Sequence, residues 1–132
     1  MHILVLGAAG MVGRKLTERL ARDGRLGNRE VTRLTLQDVV APQNPAGNAI
    51  PTRLVTSDFA DPGTAAPLVA ERPDVIFHLA AIVSGEAEVE FDKGYRINLD
   101  GTRYLIDAIR AIGGGYKPRL VFTSSVAVFG AP

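Results

Sequence analysis

Short apolar runs, bounded by turn residues, alternate along the chain with longer segments in which apolar and polar residues mix. Four runs rich in leucine and β-branched residues occupy positions 3–6, 31–36, 75–79 and 120–122, and a weaker run occupies 53–55. Continuous apolar character is typical of strands that are buried on both faces of a parallel sheet. The pattern therefore predicts five strands of one parallel sheet.

Helical periodicity fills most of the gaps between these strands. One apolar stripe ends before Gly24, a suitable C-cap, and a shorter helix is predicted at 65–71. A longer helix, whose stripe includes Leu105, ends at the glycines 113–115. Strands that alternate with helices in a chain of this length predict a single α/β domain over residues 1–132, with a doubly wound parallel sheet.

Charge and composition narrow the classes of function. The chain has 15 Lys and Arg residues against 14 Asp and Glu residues, a formal net charge of +1 at pH 7, and no cysteine. Nucleic acid backbones bind to strongly basic surfaces, so no nucleic acid partner is expected. No apolar run reaches the roughly 18 residues of a membrane helix, and the first residues lack an export signal. We therefore expect a cytoplasmic protein with no membrane partner and no metal site.

A glycine-rich turn, GAAGMVG, follows the first predicted strand and precedes the first predicted helix. At this place glycines allow a sharp turn, the approach of a pyrophosphate to the backbone, and close packing of helix on strand. Free amides and the positive end of the helix dipole stabilise phosphate charge there. A purely structural turn is the alternative. The residues predicted to contact a dinucleotide are Gly7, Gly10, Met11, Val12 and Gly13.

An acidic residue is expected at the end of the second strand, where its carboxylate binds the hydroxyls of the adenosine ribose. Asp38 takes this position, slightly later than usual because polar residues 23–29 are inserted before it. A carboxylate repels a ribose 2'-phosphate, which favours NAD over NADP, whereas Arg14 beside the glycines would favour the phosphate. A helix N-cap or a solvated turn residue is the alternative role for Asp38.

Five short blocks occur along the chain in the order GAAGMVG, SDFAD, DVIFHLAA, INLDGT and FTSSVAVFG. With these blocks the chain resembles the extended short-chain dehydrogenase/reductases, the NAD-dependent epimerase/dehydratase family. The run HLAAIVSGEAE is most similar to the D-erythronate dehydrogenase branch of that family. The resemblance implies a Rossmann-type sheet in three αβα layers, here with its first five strands only, and NAD as the cofactor. It also implies that the chain is the first part of a longer enzyme.

The resemblance assigns further cofactor contacts residue by residue. It places an Asp-Phe pair at the adenine edge and three small or apolar residues beside the ribose and pyrophosphate. An asparagine in the long helix shapes the site, and two residues after the fifth strand lie on the cofactor side. These residues are Asp58, Phe59, Leu79, Ala80, Ala81, Asn98, Thr123 and Ser124.

Several of these positions have simpler explanations. Asp58 is also a suitable N-cap for the next helix, and Leu79 is also a core residue. His78, inside an apolar strand, is expected to be a hydrogen-bonded core histidine rather than a catalytic one. Gly101 costs a helix about 1 kcal/mol relative to alanine, which predicts a close backbone approach at that position.

In the family, the serine before the VAVFG-like turn, here Ser125, hydrogen-bonds the reacting hydroxyl or carbonyl of the substrate. A tyrosine transfers the proton, and a lysine in a Tyr-x-x-x-Lys pair lowers the pKa of that tyrosine. Tyr95, Tyr104 and Tyr116 are not followed by lysine at that spacing, so the 132 residues contain no such pair. The resemblance places the pair about 25 residues after Ser125.

Three functions remain open. The first is transfer of hydride between NAD and a hydroxyl carbon of a small sugar acid such as D-erythronate. The second is an NAD-dependent nucleotide-sugar epimerase or dehydratase, and the third is a non-catalytic NAD-binding module. For the full-length enzyme the resemblance also implies a homodimer built around the long helix.

Overall fold

The structure, a computed structural model, describes residues 1–81 and 89–130. Part of the run HLAAIVSGEAE lies outside these residues. The strands in the described part are β1 (His2–Leu6), β2 (Arg25–Leu26), β3 (Arg29–Glu30), β4 (Arg33–Asp38), β5 (Thr52–Thr56), β6 (Val75–His78) and β7 (Arg119–Phe122). The helices are α1 (Met11–Asp23), α2 (Ala65–Ala70), α3 (Phe91–Tyr95) and α4 (Gly101–Ile112). A π-helical turn (Arg96–Asp100) joins α3 to α4, and a 3-10 turn (Val126–Phe129) follows β7.

Five strands form one parallel sheet in the order β5-β4-β1-β6-β7. The chain proceeds outward from β1 to β5 in one direction and then crosses back to β6 and β7 on the other side. This order is that of the dinucleotide-binding α/β sheets, and it confirms the Rossmann-type fold with five strands. The order reverses between β1 and β6, and a crevice forms at that point at the carboxyl ends of the strands.

β1 is the centre of the sheet, and its side chains alternate between two apolar cores. Ile3 and Val5 pack into a cluster with the apolar face of α1, whereas Leu4 and Leu6 pack with α2 and with Leu105 of α4. These four side chains of β1 are fully buried. Burial on both faces explains why this strand is apolar from Ile3 to Leu6, and it confirms the three-layer arrangement.

The structure differs from the sequence prediction between α1 and β4. Gly24 is the C-cap of α1, as predicted; it has the left-handed conformation, and its N–H donates to the Leu20 carbonyl at 2.8 Å. The following residues, predicted only as a polar insertion, form the antiparallel hairpin β2–β3. The N–H of Val31 donates back to the Gly24 carbonyl at 2.9 Å, so β4 begins at Arg33 rather than at residue 31.

Gly101 makes the close backbone approach that its place in the helix predicts, since a Cβ atom there would lie 3.5 Å from the backbone Cα of Ala60, and an aromatic ring lies still closer. A Cβ atom on Gly101 would lie 3.0 Å from two ring carbons of Phe59. The absence of a side chain therefore lets α4 lie directly on Phe59. Within residues 1–81 and 89–130, no helix has the length and apolar content needed to cross a membrane.

Candidate cofactor site

A cavity of about 620 Å³ opens at the carboxyl ends of the central strands, where the strand order reverses. Its walls come from the turns after β1, β4, β5 and β6 and from the helical segment that begins with α3. Eight of the predicted site residues line it: Gly7, Gly10, Asp38, Asp58, Phe59, Leu79, Ala80 and Ala81. The structure thus gathers residues that are far apart in the sequence into one crevice.

The glycine turn is fixed by backbone contacts on both sides. The N–H groups of Gly7 and Ala8 donate to the Gln37 carbonyl at 2.9 and 3.0 Å. A Cβ atom on Gly13 would lie 2.2 Å from the Gly7 carbonyl oxygen, so α1 can pack this closely only with glycine there. Gly10, the N-cap of α1, has more space: a Cβ atom would lie 3.4 Å from its nearest neighbour. Gly7 and Gly13 therefore serve packing, and Gly10 leaves the amino end of α1 open to an anion.

Asp38 lies at the end of β4 with its carboxylate directed at the glycine turn. One carboxylate oxygen accepts the N–H of Ala9 at 2.8 Å, and the other accepts the N–H of Val40 at 3.3 Å. The element after Asp38 is a loop that leads to β5, so the residue is not a helix N-cap. Arg14, the group that would favour a 2'-phosphate, is not among the residues that line the cavity.

Asp58 lies in the loop after β5, and its two carboxylate oxygens contact different donors. One oxygen accepts the N–H of Ala60 at 2.9 Å, and the other accepts a hydrogen bond from the Arg96 guanidinium. Helix α2 begins only at Ala65, with Thr64 as its N-cap, so Asp58 does not cap it. The carboxylate is therefore oriented by groups from two separate segments.

His78, at the end of β6, is a buried core residue, as predicted. Its Nε2 lies 2.8 Å from the hydroxyl of Thr102, and that hydroxyl donates to the Asn98 carbonyl at 3.1 Å. Because the hydroxyl proton points to Asn98, the hydroxyl oxygen accepts from Nε2–H, which leaves Nδ1 without a proton. Nδ1 has no hydrogen-bond partner among the described residues, and the rings of Phe59 and Phe122 lie edge-on to the imidazole.

Acid destabilisation of the protein is expected to depend on His78. Burial lowers the pKa of this imidazole from 6.5 to about 4 in the folded state. Between these pH values the unfolded chain binds the proton more tightly than the folded chain does. Stability that is complete above pH 6.5 is therefore lost as the pH falls toward 4, by up to about 3 kcal/mol.

Urea unfolding of the wild type and His78→Gln, measured at several pH values, tests this contribution. The free energy of unfolding should fall less steeply with decreasing pH in the variant. The pKa of His2 is also lowered by burial, but His2 is present in both proteins and cancels in the difference. Equal slopes for the two proteins would contradict the prediction.

Seven predicted site residues do not line the cavity: Met11, Val12, Gly13, Asn98, Thr123, Ser124 and Ser125. Met11 and Val12 are exposed on the first turn of α1. The hydroxyl of Thr123 donates to the His78 carbonyl at 3.3 Å, which ties the end of β7 to β6. Ser124 and Ser125 are exposed beyond the end of β7. The contacts of these seven residues with cofactor or substrate stay predictions.

The cavity also contains residues that the sequence did not single out: Ala9, Gln37, Val39, Val40, Ala60, Lys93 and Ile97. Gln37 is buried, and its side-chain amide donates to the Ser57 carbonyl at 2.7 Å, which joins β4 to the loop after β5. Lys93 and Ile97 reach the cavity from the helical segment after residue 88. Ala9, Ala60 and Ile97 lie within the blocks GAAGMVG, SDFAD and INLDGT but had no role of their own in the prediction. No motif marks the other four positions, because their place in the cavity follows from which segments meet in space.

The chain as a whole is similar to several known proteins. The D-erythronate dehydrogenase of Cupriavidus necator is 43% identical over 98% of this chain, which corresponds to 40% of that protein. A solved nucleoside-diphosphate-sugar epimerase from Agrobacterium tumefaciens is 66% identical, with a TM-score of 0.95, over 100% of this chain and 39% of the other. A solved uronate dehydrogenase variant complexed with NAD, also from Agrobacterium tumefaciens, is 35% identical, with a TM-score of 0.70. That similarity covers 94% of this chain and 40% of the uronate dehydrogenase chain.

The chain spans about two fifths of the length of the curated relatives it matches. The sequence profile of the NAD dependent epimerase/dehydratase family matches residues 3–132, which is nearly the whole chain. The profile match and the identity to these relatives agree with the strand order and the glycine turn. The chain therefore belongs to the NAD dependent epimerase/dehydratase family.

Proposed function

We propose that this chain is the NAD-binding part of a dehydrogenase that acts on a small sugar acid. The observation that supports NAD binding most directly is the convergence of Gly10 and Asp38 on one crevice. Gly10 leaves the amino end of α1 open for the pyrophosphate, and the Asp38 carboxylate lies beside that turn, where a ribose hydroxyl would donate to it. The eight lining residues named above form the proposed binding surface, and Asn98, Thr123 and Ser124 are proposed to complete it.

The proposed reaction is hydride transfer between NAD and a hydroxyl-bearing carbon of a substrate such as D-erythronate. The 43% identity to a D-erythronate dehydrogenase supports this substrate class. Ser125 is proposed to hydrogen-bond the reacting oxygen, because it follows β7 at the carboxyl end of the sheet, the end that bears the cavity. The proton-transferring tyrosine and its lysine, which are not paired at the required spacing in these 132 residues, are proposed to lie about 25 residues beyond Ser125 in the full-length protein.

Two observations test the proposal. The complete reading frame should encode a Tyr-x-x-x-Lys pair about 25 residues beyond Ser125, and the encoded protein should reduce NAD in the presence of D-erythronate. The 132-residue chain should bind NAD in a calorimetric titration without forming NADH. A complete frame that lacks the pair would contradict the dehydrogenase proposal, and binding alone would then favour the non-catalytic module.

An NAD-dependent nucleotide-sugar epimerase is the second candidate, because the solved chain that is 66% identical is described as a nucleoside-diphosphate-sugar epimerase. An epimerase retains its NAD through turnover, whereas a dehydrogenase releases NADH. Spectrophotometric detection of NADH accumulation therefore separates the two.

We also propose that the full-length protein is a cytoplasmic homodimer that pairs through α4, where Ile106 is exposed. Light scattering of the purified protein tests the dimer.

A further inference from the structure

A cation from the helical segment reaches across to the Asp58 loop. Arg96 is the first residue of the π-helical turn, and its guanidinium donates to Asp58 and, at 3.0 Å, to the carboxylate of Asp61. The two carboxylates lie in the loop between β5 and α2, so the contact joins two segments that are 35 or more residues apart. One guanidinium thereby pairs with two neighbouring carboxylates and offsets one of their two negative charges.

This contact fixes the orientation of the Asp58 carboxylate. One of its oxygens is held by the Ala60 N–H at 2.9 Å and the other by Arg96. A carboxylate oxygen accepts more than one hydrogen bond, so both oxygens keep acceptor capacity for a ligand. Asp58 and Phe59 line the cavity together with Lys93 and Ile97, which come from the segment that carries Arg96. The carboxylate is thus held rigidly as an acceptor at the wall of the cavity.

We propose that Arg96 is a positioning residue that makes the site prefer a 6-aminopurine to a 6-oxopurine. This inference rests on the proposed function, in which the adenine of NAD lies against Asp58. A 6-amino group donates to a carboxylate, whereas a 6-oxo group directs an acceptor lone pair at it. A carboxylate that is held at both oxygens cannot turn away from that repulsion, so the 6-oxo ligand is penalised. Without Arg96 the carboxylate rotates and hydrates, and the penalty falls.

The test compares the Kd of NAD with that of nicotinamide hypoxanthine dinucleotide, in which a 6-oxo group replaces the 6-amino group. The protein is expressed from the complete reading frame, as wild type, Arg96→Met, Arg96→Lys and Arg110→Met. Arg110 is an exposed residue of α4 that does not line the cavity, and it serves as the matched control. The wild type and Arg110→Met should prefer NAD by the same ratio. In Arg96→Met this ratio should fall about 5-fold, the size of one ordinary hydrogen bond.

The ratio distinguishes positioning from a general role in stability. If Arg96→Met weakens both dinucleotides equally, or leaves the ratio unchanged, the inference is overturned. If Arg96→Met fails to fold, Arg96→Lys decides the question, because lysine keeps the positive charge but lacks the planar guanidinium. The preference of Arg96→Lys for NAD should lie below that of the wild type. An unchanged preference overturns the inference. A wild type that binds neither dinucleotide overturns the proposed function together with this inference. NAD binding without preference over the 6-oxo ligand overturns the inference alone.

Discussion

Replacing Gly13 with alanine is expected to lower the free energy of unfolding by about 3 kcal/mol, the cost of overpacking a closely packed site. The new methyl carbon would lie 2.2 Å from the Gly7 carbonyl oxygen and 2.8 Å from the Ala8 Cα. Neither atom can move freely, because the N–H groups of Gly7 and Ala8 are bonded to the Gln37 carbonyl. Helix α1 would have to separate from β1, which opens the apolar core between them.

Gly10→Ala is the matched control, since the same methyl group there meets its nearest neighbour at 3.4 Å. Its free energy of unfolding should stay within about 0.5 kcal/mol of the wild type. Urea unfolding followed by circular dichroism measures both variants. NAD binding should nevertheless weaken in Gly10→Ala, because the methyl group covers the backbone that the proposed pyrophosphate approaches. Equal stability of the two variants would show that the close packing at Gly13 is not required.

Asp38→Asn is expected to reduce the preference for NAD over NADP by about 30-fold, which corresponds to about 2 kcal/mol of relieved charge repulsion. The asparagine keeps an oxygen that accepts the N–H of Ala9, so the geometry of the turn is retained. It removes the negative charge that, in the proposed site, would face a ribose 2'-phosphate. NADP affinity should therefore rise while NAD affinity falls.

Competition titrations with the two dinucleotides measure this ratio at a fixed ionic strength, because charge effects depend on salt. Asp23→Asn also removes one negative charge, but Asp23 is the last residue of α1 and lies at the helix end away from the glycine turn. This variant should leave the ratio unchanged. An unchanged ratio in Asp38→Asn would show that another residue selects the cofactor. Equal changes in both variants would attribute the effect to net charge instead of to Asp38.

The sheet could be predicted from the sequence because its central strands are buried on both faces, an environment that favours largely apolar runs. The hairpin β2–β3 escaped prediction for the opposite reason. Its strands, Arg25–Leu26 and Arg29–Glu30, are short, largely polar and exposed or half-buried, so no apolar pattern records them. The start of β4 was misplaced because Val31 is apolar and buried yet lies in the connection before the strand.

In the candidate site, too, some residues could be predicted from the sequence and others could not. The glycine turn and Asp38 follow directly after strands, so their place in the crevice can be predicted from their place in the chain. Gln37 and Arg96 act through contacts with segments distant in the sequence, and no local sequence pattern indicates such a contact. The alternative role of Asp58 as a helix N-cap was wrong because the loop after β5 continues to Thr64 before α2 begins.

The hairpin β2–β3 is also a part of the chain that can accept added residues without affecting the cavity. It precedes β4 at the amino end of the parallel strands, whereas the cavity opens at their carboxyl end. Its turn at Gly27 and Asn28 is exposed, and a side chain on Gly27 would meet no atom within 4 Å. Exposed turns accept inserted residues without loss of core packing. A fluorophore or an affinity tag grafted at this turn would therefore report on the protein without touching the crevice.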